Sequence, residues 1–168
     1  PAWRIRTAVH SMTLTVEIDN DCPEQWTPNQ QFCENCLGIA QTIAKKPEPL
    51  TVSLRFVSRS ESKDLNSTYR NKQTPTNVLS FPADLPAELL ESLDSEPIGD
   101  IVVCPEVVTA EADQQHKPLQ DHWSQMLIHG FFHLLGYDHD SEADAEKMEA
   151  LEIKCLKKLG ISNPYLIG

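Results

Sequence analysis

Residues 98–139 read IGDIVVCPEVVTAEADQQHKPLQDHWSQMLIHGFFHLLGYDH, and a strand and two helices can be read off them in order. Ile98–Cys104 is an apolar, β-branched run of strand length. Pro105 suits the first position of a helix, where its missing N–H costs nothing, and opens one that runs to about Gln115. Pro118 opens a second helix reaching Leu135, and Gly136 ends it as the C′ residue.

Upstream, Met12–Ile18 alternates, with Leu14, Val16 and Ile18 on one side of a strand. Thr27, Pro28 and Gln30 are placed as N-cap, N1 proline and capping-box glutamine of a helix. Phe32, Cys36, Ile39, Ala40 and Ile43 form its apolar stripe, and Pro47 lies beyond its end. Thr51–Val57 is a second strand with Val52, Leu54 and Phe56 inward. Residues 60–70 form a short helix anchored by Leu65 and Tyr69, and Asn77–Phe81 is a third strand, stopped by Pro82. Residues 82–97 read as an exposed acidic loop with a short helical piece near Glu88–Leu93. Downstream, Ser141 caps a last helix with Met148, Leu151, Cys155 and Leu159 on one face and Lys157, Lys158 and Gly160 at its end. About four strands mixed with about five helices make one α/β or α+β layered domain.

With 168 residues, the chain is long enough for one well-packed core. Its apolar runs are far shorter than the ~20 residues a membrane span needs. Residues 1–11 carry no pattern of a leader and are expected to be an expression scar or a disordered extension, leaving 12–168 as the folded domain. The five cysteines are expected to be free thiols in a reducing, cytoplasmic setting. Cys33 and Cys36 have redox or zinc spacing, but no second pair accompanies them, and a helical core position explains Cys36. The net charge of −11 argues against a protein that coats nucleic acid non-specifically. Yet Arg55, Arg59, Lys63, Arg70 and Lys72 cluster within residues 55–72, where a polyanion could be met locally.

The chemistry is concentrated in 129–139. Residues four apart on a helix project from adjacent turns of one face, so His129 and His133 can chelate one ion. Gly136 lets the backbone reverse, which allows His139 to return as a third ligand. Three protein ligands leave a position for solvent, the arrangement of catalytic rather than structural zinc. The spacing coincides with that of metzincin proteases, whose second residue is a glutamate general base; here it is Gly130.

The chain resembles the YbeY family of bacterial endoribonucleases, also called rRNA maturation factors. The family signature H-G-x-x-H-L-x-G-Y-D-H stands here as HGFFHLLGYDH, accompanied by LNSTYRNKQTPTNVLSFP at 65–82 and GDIVVC at 99–104. The similarity runs from about residue 13 to 166. It implies a mixed sheet flanked by helices, a zinc ion on His129, His133 and His139, and a functional role for Arg70. It also implies single-stranded rRNA as substrate, 16S rRNA maturation and quality control as the task, and the small ribosomal subunit, its proteins and an assembly GTPase as partners.

The residues themselves agree with that assignment. The guanidinium of Arg70 can hold phosphate oxygens bidentately, although a surface salt bridge is the plainer use of such a residue. His122, two helical turns before His129, could contact substrate, support a ligand or lie exposed. Asp138 could orient a ligand imidazole or form a turn. Thr76, Asn77 and Ser80 bracket a strand near the cleft, and Tyr137 is expected to pack beside it. No side chain stands out as general base, and the nucleophile could be water or the RNA 2′-hydroxyl. Two rivals are a metallopeptidase-like hydrolase and a non-catalytic assembly factor in which zinc only staples the helix to its turn.

Overall fold

The computed structural model describes residues 13–138 and 140–166. Four strands form one mixed sheet: β1 (Leu14–Asn20), β2 (Leu50–Phe56), β3 (Val78–Pro82) and β4 (Glu96–Val103), in the order β1-β2-β4-β3. The first three strands in that order are parallel, with Val16 beside Val52 and Leu54 beside Ile101. β3 runs antiparallel along β4 as the far edge, placing Ser80 beside Ile101. Among the described residues six helices accompany the sheet in this α+β domain: α1 (Gln30–Ile43), α2 (Arg59–Arg70), α3 (Ala87–Leu90), α4 (Pro105–Gln114), α5 (Leu119–Leu134) and α6 (Glu142–Lys158).

Strand alternation divides the apolar residues between the two faces. Val52, Leu54, Phe56, Ile101 and Val103 pack with α1, α5 and α6 into the main core, which includes the fully buried Trp123, Phe131 and Phe132. Val57, Leu79 and Val102 form a smaller cluster with Leu65 of α2 and Phe81. The five cysteines are free and buried. Burial and the neighbouring Cys36 and Glu34 push the Cys33 thiol up to about 12, so this pair is unreactive core rather than a redox centre. Among the described residues no helix is long and apolar enough to cross a membrane.

Three expectations change in detail. The cap of α1 is Asn29, whose Oδ1 accepts from the Phe32 amide at 2.9 Å. Gln30 turns away to donate to the Val16 carbonyl, and Thr27 accepts from Asn20 instead. Tyr69 is not a core anchor: it is 58% exposed. The inward residues of α2 are Ser62 and Asn66, which bind the backbone of Thr76 and Thr74. These polar ties fix the rotation of the helix and swing Tyr69 outward. The cap of α6 is Ser141, as the sequence indicates, accepting from the Asp144 amide. The proposed extension, residues 1–11, lies outside the described residues.

Candidate active site

α5 crosses the helix-covered face of the sheet and ends at the β3 edge, where the site forms. The helix sits close because Gly130 faces the sheet. A Cβ there would stand 2.8 Å from Ile101 Cγ2 and 3.3 Å from both Ser80 Oγ and Val78 Cγ2. Ser80 seals the contact by donating its hydroxyl to the Gly130 carbonyl at 2.9 Å. Gly130→Ala is expected to destabilise the fold by up to about 2 kcal/mol in urea unfolding. The overpacking cost of ~1–3 kcal/mol is offset in part by the ~1 kcal/mol that alanine gains in helix propensity.

The end of α5 is set by Gly136, with φ of +98°. Its N–H donates to the His133 carbonyl at 3.0 Å, and that of Tyr137 to the Phe132 carbonyl at 3.1 Å. This is the paired hydrogen bonding of a Schellman cap, including its apolar clasp: the Phe132 and Tyr137 rings meet edge-on, 5.6 Å apart. The chain therefore turns back over the helix end, carrying Tyr137 and Asp138 to the cleft that His129 and His133 face. Arg70, Ser80, His129, His133, Tyr137 and Asp138 line that cleft of about 490 Å³.

The Nε2 atoms of His129 and His133 lie 3.1 Å apart. Two nitrogens bound to one tetrahedral zinc, at bond lengths of about 2.0–2.1 Å, stand roughly 3.3 Å apart. The pair therefore fits a common divalent ion. The other ring nitrogen of His129, Nδ1, meets Glu152, whose side chain is fully buried on α6. Glu152 also accepts the hydroxyl of Tyr165. Burial and the adjacent Glu152 raise the Tyr165 phenol above its ordinary range, keeping it a donor. With Glu152 accepting at Nδ1, the His129 Nε2 lone pair is left facing the cleft, the tautomer a metal ligand requires. Among the described residues no three His, Cys, Asp or Glu side chains form a metal-binding group; His139, the expected third ligand, lies outside them.

Arg70 is the last residue of α2 and lines the same cleft. Its Nη2 donates to the Ser80 carbonyl and its Nη1 to that of Tyr69, both at 3.2 Å. The guanidinium carbon lies 5.7 Å from the centre of the Phe81 ring. Backbone carbonyls thus fix the fork without neutralising its charge.

His122 is not brought to the cleft. It is buried, with Nε2 at 2.9 Å from Glu111 Oε1, about 10 Å along the helix axis from His129. Glu111 also accepts from Asn77 Nδ2 at 3.0 and 3.2 Å. Burial raises the Glu111 carboxyl, but hydrogen bonds from His122 and Asn77 outweigh it and hold the group below its ordinary value. This trio ties the residue just before β3 to α4 and α5, and Thr76 belongs to the α2 clasp. Of the bracketing residues only Ser80 lines the cleft. Glu152 and Tyr165 went unmarked in the sequence. Glu152 lies four residues after Met148 and three before Cys155, a carboxylate on an apolar stripe, which signals a buried partner.

Fold and cleft together define an α+β domain with paired imidazoles at a capped helix end, in one cleft with a fixed arginine. The chain belongs to the YbeY family: the model described as endoribonuclease YbeY matches residues 17–160. It is 52% identical over 155 residues to the endoribonuclease YbeY of Acinetobacter baumannii, covering 92% of this chain and 98% of the relative. The protein of that name from Cellvibrio japonicus is 45% identical over 150 residues, covering 89% and 82%. The solution structure of TM1509 from Thermotoga maritima is similar, with a TM-score of 0.53 and 26% identity over 91% of this chain and all of that one.

Proposed function

We propose that this protein is a single-strand-specific endoribonuclease that matures the 3′ end of 16S rRNA. One divalent ion, zinc, would be held by His129, His133 and His139. The observation that carries the reading is the pair of Nε2 atoms 3.1 Å apart, in a cleft that also contains the Arg70 fork. Membership of a family whose relatives are named endoribonuclease YbeY supports RNA as the substrate.

When bound, the ion supplies Lewis acidity toward a phosphodiester. The chain's own residues do the remaining work. His129 and His133 present nitrogen lone pairs, and Glu152, itself held by Tyr165, keeps the His129 ring in the required tautomer. Arg70 offers a preorganised cation to the non-bridging phosphate oxygens, where negative charge develops. Its backbone tethers mean that little reorganisation accompanies that contact. The packing of Gly130 weighs against peptidase chemistry. A glutamate at that position would be driven into Ile101 and Ser80 rather than toward a substrate. We place the enzyme in the cytoplasm, on the small ribosomal subunit, with ribosomal proteins and an assembly GTPase as partners.

Incubating the purified chain with single-stranded RNA, duplex RNA and casein, with and without chelator, tests this reading. Chelator-sensitive cleavage of single-stranded RNA alone is expected; cleavage of casein with RNA intact would overturn it. Glu152→Gln is expected to lower zinc affinity by ~10- to 100-fold, the usual cost of losing a carboxylate behind a ligand imidazole. Competition with a chromogenic chelator measures that loss, and circular dichroism confirms that the variant folds.

A further inference from the structure

Tyr69 is a large aromatic side chain left 58% exposed immediately before Arg70, although the helix carrying it is firmly held. The ring is not loose. It meets the Phe81 ring edge-on at 5.1 Å between centres, while the Arg70 guanidinium lies over Phe81. The Tyr69 carbonyl also accepts from Arg70 Nη1. Tyr69, Phe81 and Arg70 therefore form one braced unit, with an aromatic surface beside a cation at the rim of the cleft.

An exposed, braced aromatic next to a phosphate-binding fork has the chemistry of a nucleotide-binding step. Arginine takes the backbone and the ring takes the base, without reading its hydrogen-bonding edge. A helical duplex keeps its bases stacked on one another and cannot offer one to such a ring, whereas an unpaired strand can. From this juxtaposition, and resting on the endoribonuclease reading above, we propose that Tyr69 stacks on an unpaired RNA base next to the phosphate held by Arg70. This contact makes Tyr69 a determinant of the single-strand preference.

The test uses the full chain, a short unstructured RNA oligonucleotide, the same oligonucleotide carrying abasic nucleotides, and a blunt RNA duplex. Tyr69→Ala is expected to raise KM and Kd for the single strand by ~10-fold, within the range seen when a stacking aromatic is removed, with kcat nearly unchanged. Tyr69→Phe and Tyr69→Trp should restore binding, because each keeps a ring face. On the abasic oligonucleotide, wild type and Tyr69→Ala should bind alike, and affinity for the duplex should not move.

A Tyr69→Ala variant that binds the unstructured RNA as wild type does overturns the proposal, as does equal weakening on abasic and intact strands. In either case the endoribonuclease reading survives if wild type still cleaves RNA in a chelator-sensitive way. A wild-type chain that neither binds nor cleaves RNA removes both.

Discussion

His133→Ala is expected to reduce RNA cleavage by ~1,000-fold or more while leaving a folded protein. The imidazole occupies the last turn of α5 and is only half-buried, so its loss opens little cavity in the core. Its chemical cost is much larger. It removes one of two nitrogens spaced for a shared ion, and a Lewis acid in such a site is worth several kcal/mol of transition-state stabilisation. A thousandfold loss corresponds to about 4 kcal/mol. Single-turnover cleavage measured beside thermal unfolding separates this outcome from a structural one. If zinc were only a staple, the melting temperature would drop while cleavage per folded molecule persisted.

The second large effect is expected from Arg70→Ala, at ~100- to 1,000-fold in kcat, the range for removing one preorganised donor from a site of developing charge. Arg70 is exposed and its packing partner is the face of Phe81, so stability should change by no more than about 1 kcal/mol. Arg70→Lys should recover only part of the rate. An ammonium keeps the charge but cannot serve two backbone carbonyls and a phosphate through a planar fork. Metal content should be unchanged in both variants, which distinguishes Arg70 from the histidines.

The parts of this site that the sequence discloses are those governed by local chain geometry. The i, i+4 spacing of His129 and His133 and the helix-ending role of Gly136 depend on residues close in the chain, and both hold in the structure. The strands were legible because Val52, Leu54 and Phe56 alternate with polar residues over a run of strand length. The parity of the sheet was not, because β3 pairing antiparallel with β4 depends on how distant segments meet. The resemblance implied only that the sheet is mixed, and the pairing itself comes from the structure.

Tertiary contacts explain the remaining differences. Helical spacing puts Tyr69 on the face of Leu65, yet Ser62 and Asn66 hold α2 by its polar side, and the apolar cluster ends at Phe81. Spacing likewise aligns His122 with His129, but the sites lie two turns apart and Glu111 takes the first imidazole. Glu152 could have been noticed as a carboxylate among Met148 and Cys155. Only the packing of α6 against α5 shows that His129 and Tyr165 meet it.

X-ray absorption at the zinc edge, combined with elemental analysis of the purified chain, tests the centre most directly. One zinc per chain with three imidazole nitrogens and one light solvent donor is expected, and the signal should disappear in His133→Ala. Four side-chain ligands, a sulfur-containing shell, or full RNA cleavage by a chain stripped of metal would contradict it.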